Sequence, residues 1–130
     1  MIALAVLCPY CRKSLMDSEK TLDGNPSILV TLRAGGADSP LNLSALYGSF
    51  RYDTQAAVAL GEETELLCPH CRTTLVTDAR CDVCKARNCR MSLELDGEVY
   101  FCSRRGCKNH KVELRDLEKA LGSLYAGGKQ

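Results

Sequence analysis

The chain has 130 residues, 45% of them hydrophobic and 25% charged, with a formal net charge of +1. This is the balance of a folded domain and excludes both a disordered chain and one drawn as a whole to nucleic acid. Nine residues are cysteine, while the large aromatics amount to two Phe, five Tyr and no Trp, so the apolar core is thin and cross-linking through cysteine is expected to support it.

The opening Met1 to Leu7 is apolar for only seven residues, has no basic leader and runs straight into Cys8-Pro9, which does not fit a secretory signal. No stretch approaches the roughly 18 apolar residues that cross a bilayer. The expectation is a cytosolic protein without membrane association. In that compartment thiols stay reduced, and nine cysteines read better as metal ligands than as disulfides.

The cysteines stand in close pairs: Cys8 and Cys11, Cys68 and Cys71, Cys81 and Cys84, then Cys102 and Cys107, with Cys89 alone and His110 close behind. Two thiolates separated by two residues fit a tight turn whose amide N–H groups point at the sulfurs, and two such turns complete a tetrahedral Zn²⁺ site. Pro9 and Pro69 fix φ inside the first two turns. A redox dithiol would need a βαβ context that is missing around every pair. Two zinc ions per chain are expected, one on Cys8, Cys11, Cys68 and Cys71, the other on Cys81, Cys84, Cys102 and Cys107. A cross-braced pairing, with the first and third pairs on one metal, remains open, as does replacement of a sulfur by His110 or Cys89. His70, between two ligands on a tight turn, is expected to face solvent.

In chain order, residues 1–76 read as a first metal module carrying a long sheet insertion at 26–54. Its strands are Ser27 to Arg33 and Leu41 to Tyr52, with a loop at 35–40 between them. Leu66-Leu67 before the second pair resembles Val6-Leu7 before the first, as copies of one local turn. Residues 77–130 form a second module. Its hairpin at 91–101 turns at Asp96-Gly97, pairing Leu95 with Glu98 and setting Cys102 opposite Met91. Leu114, Leu117, Leu121 and Leu124 make one apolar stripe of a helix over 112–125.

The segments Leu7-Cys8-Pro9-Tyr10-Cys11 and Leu67-Cys68-Pro69-His70-Cys71 resemble the paired knuckles of zinc-ribbon and rubredoxin-like proteins. The second half, knuckle, hairpin, Cys-rich turn and helix, is similar to a treble clef or a second ribbon. The likeness covers roughly residues 6–12 and 66–125. It implies two such metal modules, and together with the inserted antiparallel sheet and the C-terminal helix read above the expected fold is small, β-rich (α+β) and metal-stabilised. In those families a glycine commonly follows the second cysteine of a knuckle. Here Arg12 and Arg72 stand there, a departure that counts against a rubredoxin-type iron electron carrier.

Charge is uneven. Residues 1–67 hold five basic and eight acidic side chains, and residues 80–111 hold eight basic (Arg80, Lys85, Arg87, Arg90, Arg104, Arg105, Lys108, Lys111) against four acidic. The basic stretch suits phosphate or an acidic protein surface, or it compensates a tetrathiolate centre that is formally negative. No phosphate loop or nucleophile motif is present, and every candidate metal position is filled by protein ligands. The expected function is therefore non-catalytic: a structural two-zinc accessory or adaptor subunit docking on a larger protein through the Ile28 to Tyr52 sheet or the C-terminal helix. A nucleic-acid-binding ribbon using residues 80–111 and a rubredoxin-like iron electron carrier are the alternatives.

Overall fold

The computed structural model describes residues 3–49, 51–58, 60–94, 97–105, 107 and, for the backbone, 110–113. These form ten strands: β1 (Val6–Leu7), β2 (Met16–Leu22), β3 (Asn25–Ala34), β4 (Ala37–Leu43), β5 (Tyr52–Thr54), β6 (Glu65–Leu67), β7 (Val76–Arg80), β8 (Arg87–Leu93), β9 (Glu98–Cys102) and β10 (His110–Glu113). They make two antiparallel five-stranded sheets. The first has the order β2-β3-β4-β5 with β6 also on β3, and the second the order β7-β8-β9-β10 with β1 also on β8.

Strand β3 is the centre of the first sheet, and its sequence suits that place. Ile28, Val30 and Leu32 alternate onto one face and are 0–3% exposed. Thr31, on the other face, is also buried, because Arg72 lies over it and donates from Nη1 to the Thr31 hydroxyl at 3.4 Å. The hairpin from β3 to β4 turns on Gly35 and Gly36 alone, at φ of 59° and 80°, the left-handed pair that a type I′ turn demands. Strand β4 therefore starts at Ala37, inside the expected 35–40 loop. Pro40 belongs to the strand and pairs in register with Thr31. Its carbonyl accepts from the Thr54 hydroxyl at 2.8 Å, so its backbone points toward β5 and its missing N–H removes no bond to β3.

The β8–β9 hairpin differs in register from the sequence expectation. Met91 pairs with Val99 and Asn88 with Cys102, and the Leu93 amide donates to the Gly97 carbonyl at 3.0 Å. The connection is thus wider than two residues, and Cys102 lies further back along β8, toward the Cys81–Cys84 turn. The expected C-terminal helix is also corrected where it can be read. Val112 and Glu113 lie in β10, with Val112 opposite Val99, a cross-strand pair of β-branched residues that suits the open edge of β9. Residues 114–125 of that expected helix lie outside the described residues.

The two sheets are built on one plan. Met16 pairs with Ile28 as Val76 pairs with Cys89, and Leu29 with Asn42 as Arg90 with Tyr100. Leu43 pairs with Tyr52 as Phe101 with His110. Even the isolated bridges repeat: Ala3 to Leu46 and Glu63 to Arg104, Leu7 to Ser14 and Leu67 to Thr74. The chain is a structural duplication in which the first strand of each half crosses over, β1 lying against β8 and β6 against β3. One hydrophobic core, from Val6 and Leu15 through Leu32 and Leu66 to Leu75, Met91 and Val99, joins both sheets.

Candidate metal centres

Three knuckles share one backbone geometry. The amide of the residue after the second cysteine donates to the carbonyl of the first: Arg12 to Cys8 at 3.0 Å, Arg72 to Cys68 at 2.9 Å, Lys85 to Cys81 at 3.0 Å. Backbone N–H groups point at the first sulfur, from Tyr10 to Cys8 (3.4 Å), from His70 to Cys68 (3.3 Å) and from Val83 to Cys81 (3.4 Å). Arg12, Arg72 and Lys85 all take a left-handed conformation, with φ of 65°, 65° and 68°. The turn that glycine makes in the resembling families is made here without it, so the missing glycines do not change the shape of the turns.

The predicted ligands gather in the sequential grouping. In each of the two sets, Cys8, Cys11, Cys68, Cys71 and Cys81, Cys84, Cys102, Cys107, the four sulfurs lie within 4.8 Å of one another. Cys8 to Cys71 is 3.8 Å, Cys11 to Cys68 3.7 Å, Cys81 to Cys107 3.7 Å and Cys84 to Cys102 3.3 Å. A tetrahedron of sulfurs about 2.3 Å from its centre has edges of about 3.8 Å, so both sets fit a metal ion, and all eight cysteines are free thiols. Cys89 stands apart, fully buried in the core at the register position that Ile28 holds in the first half, where it acts as a small apolar filler. Burial pushes its thiol up to about 12. The His70 ring meets the Ser14 carbonyl at 3.1 Å, away from the sulfurs. The side chain of His110 lies outside the described residues.

The electrostatics of the sets are uneven. Desolvation pushes Cys68 up to about 12 and raises Cys8 and Cys102. The Thr73 hydroxyl beside Cys71 brings that thiol down to about 6, and the Ala86 amide, with Arg104 Nε at 3.4 Å behind it, lowers Cys84. Each set thus combines buried thiols with a more readily ionised partner, and uptake of a dication drives protons off the buried ones.

The first centre takes one knuckle from each half and lies where the halves meet. The second belongs to the second half alone, and the duplication shows what replaces it in the first. In register, Ser44 stands where Cys102 does and Ser49 where Cys107 does, in the matching segments Ser44-Ala45-Leu46-Tyr47-Gly48-Ser49 and Cys102-Ser103-Arg104-Arg105-Gly106-Cys107. The local bonds match as well: the Leu46 amide donates to Ser44 Oγ at 3.2 Å as Arg104 does to Cys102 Sγ at 3.4 Å. The Ser49 amide donates to the Leu46 carbonyl at 2.9 Å as Cys107 does to Arg104 at 3.2 Å. The Cys81–Cys84 knuckle between β7 and β8 gives way to the tight Asp23-Gly24 turn between β2 and β3. Both serine hydroxyls donate to Asp23 Oδ2 at 2.6 Å, and Arg51 pairs with the same carboxylate at 3.4 Å. A hydrogen-bonded carboxylate thus ties together the turns that carry the four-cysteine set in the other half. Sequence reasoning missed this cluster. The shared Gly48 and Gly106, each preceding a serine or cysteine, were the signal available.

No protein-family model, curated protein or solved structure matches this chain. Among the described residues no helix is long and apolar enough to cross a membrane.

Lys85 is exposed and left-handed, so Lys85→Gly relieves backbone strain and raises the stability of the metal-loaded protein by about 0.5–1 kcal/mol in urea denaturation. The Ser44 and Ser49 hydroxyls, with Arg51 behind them, hold the Asp23 carboxyl below the usual carboxylate range. A depressed folded-state pKa stabilises above the unfolded value of about 3.9 and loses that contribution as pH falls through the folded one. Wild type is therefore more stable than Asp23→Asn at neutral pH, with a gap that narrows in acid. Comparing the two chains at each pH cancels the proton competition at the thiolates common to both.

Proposed function

We propose that this protein is a non-catalytic, two-zinc accessory subunit that works by docking on a larger protein. The observation that carries the reading is the closure of both centres. Each set offers four protein sulfurs at tetrahedral spacing, the mark of structural zinc, whereas a catalytic zinc keeps a position for water or substrate.

Recognition is then the remaining work, and the first sheet has a surface suited to it. Strand β5 pairs only with β4 among the described residues, leaving a short open edge. Tyr52 on that edge is 46% exposed, and Leu60, in the segment that follows, is 76% exposed. Arg105 draws the two regions together, donating from Nε to the Tyr52 hydroxyl at 3.3 Å and from Nη1 to the Val58 carbonyl at 2.9 Å. Tyrosine and arginine are residues enriched at protein interfaces, and the exposed Leu60 extends the apolar area beside them.

The basic stretch of the second half is partly engaged within the protein, which favours docking on a protein over binding nucleic acid. Arg90 pairs with Glu98 at 3.6 Å and also lies over the Tyr10 ring, and Arg104 reaches Glu63 and the Cys84 sulfur.

The reading is tested by the size of the native species in an extract of the source cells, using light scattering after gentle purification. The expected result is a defined complex well above the 14.2 kDa of one chain, lost on Leu60→Asp while metal content is retained. A 14.2 kDa monomer in the native extract would overturn it.

A further inference from the structure

A cavity of about 800 Å³ lies between the two sheets, within the range of small-molecule sites. Its apolar walls come from both halves, with Leu41 and Leu43 of β4 on one side and their register equivalents Val99 and Phe101 of β9 on the other, above Leu32 and Met91. An apolar void of this size is unattractive to water, which needs several polar partners at once.

The duplication shows how the cavity has become polarised. At the mouth, the first half contributes Leu46 and Tyr47, and the equivalent positions of the second half are Arg104 and Arg105. At these two positions an apolar and aromatic pair thus faces a cationic one, with Arg51 of the first half and Glu62 of the second also on the lining. Arg51 and Arg104 are matched by Asp23 and Glu63, whereas Arg105 spends Nε and Nη1 on neutral oxygens and has no carboxylate partner among the described residues.

Beside these arginines stands Ser103, which lines the cavity and is only 4% exposed. Its hydroxyl has no hydrogen-bond partner among the described residues. A buried hydroxyl left unmatched costs about 1–3 kcal/mol. The fold does not require it: the equivalent residue in the first half is Ala45, 1% exposed and packed in the core. A hydroxyl kept in the wall of a cavity where a methyl suffices, next in the chain to arginines that line the same cavity, is a group awaiting a ligand.

We propose that the cavity binds a single-chain amphiphile bearing a carboxylate, of the fatty-acid class. The alkyl chain lies between the β4 and β9 walls, and the carboxylate meets the charge of Arg105 and accepts from Ser103 Oγ once that hydroxyl rotates toward the cavity. A cationic head would be repelled at that rim, and a neutral one would leave Arg105 unmatched.

The test is calorimetric titration of the full-length, zinc-loaded chain with dodecanoate and, separately, with dodecyltrimethylammonium. Dodecanoate is expected to saturate one site per chain and to bind at least about tenfold more tightly than the cation, shifting the Met91 methyl resonance. Ser103→Ala, which copies Ala45 and so preserves the fold, weakens dodecanoate binding on the order of tenfold at unchanged zinc content. Ala57→Trp, at an exposed position on the cavity lining, abolishes binding by filling the mouth. No saturable binding of dodecanoate, equal binding of the cation, or affinity indifferent to both substitutions would overturn the proposal. None of these readouts depends on a protein partner, so the ligand and the docking reading fail separately.

Discussion

The clasp of four sulfurs from Cys8, Cys11, Cys68 and Cys71 is the constraint on which the rest of the structure depends. It takes two ligands from each half, and the strands leading into it, β1 and β6, each lie in the sheet of the opposite half. Neither half is complete alone: the first sheet needs Leu66 and Leu67 from the second repeat, and the second needs Val6 and Leu7 from the first. Binding free energies of structural zinc sites run to about 10–16 kcal/mol, as large as the whole stability of a typical domain. In a chain with two Phe and no Trp, a metal of that strength held at the junction would offset a core built from Leu, Val and Ala.

With that junction fixed, the halves have diverged where they are not tied to it. The second half has a four-cysteine set that fits a metal in Cys81, Cys84, Cys102 and Cys107, whereas the first ties the same turns with the Asp23 carboxylate and the hydroxyls of Ser44 and Ser49. The two solutions differ in chemistry more than in geometry, since the turn bonds around Ser44 and Cys102 are alike. A carboxylate hydrogen bond suffices beside a two-residue turn at Asp23-Gly24. The longer β7–β8 turn, with its left-handed Lys85, carries two of the four sulfurs of the second set instead. The same divergence sets Arg104 and Arg105 across from Leu46 and Tyr47, giving the space between the sheets its polarity.

The cysteine spacing made the ligand sets legible, because Cys-x-x-Cys is a local geometric requirement that sequence displays directly. The repeat of Leu7-Cys8-Pro9 in Leu67-Cys68-Pro69 likewise announced two copies of one turn. What lay beyond the sequence was non-local. Strands β2 and β7 are polar, reading Met-Asp-Ser-Glu-Lys-Thr-Leu and Val-Thr-Asp-Ala-Arg, and owe their pairing to β3 and β8 rather than to alternation. The crossing of β1 and β6 between sheets leaves no mark on a two- or three-residue strand. The β8–β9 register followed the closure of the second centre, with Cys102 opposite Asn88, over the preference of Asp96-Gly97 for a two-residue turn. The duplication itself leaves little trace in the sequence because Ser44 and Ser49 stand where the other half has Cys102 and Cys107.

Everything above depends on how many metal ions the chain carries, which ones, and which cysteines hold them. Native mass spectrometry of the purified protein is predicted to find two zinc ions per chain, and Cys84→Ser to retain only the one held between the halves. A red, iron-loaded chain, a single metal in the wild type, or two zinc ions retained by Cys84→Ser would contradict it.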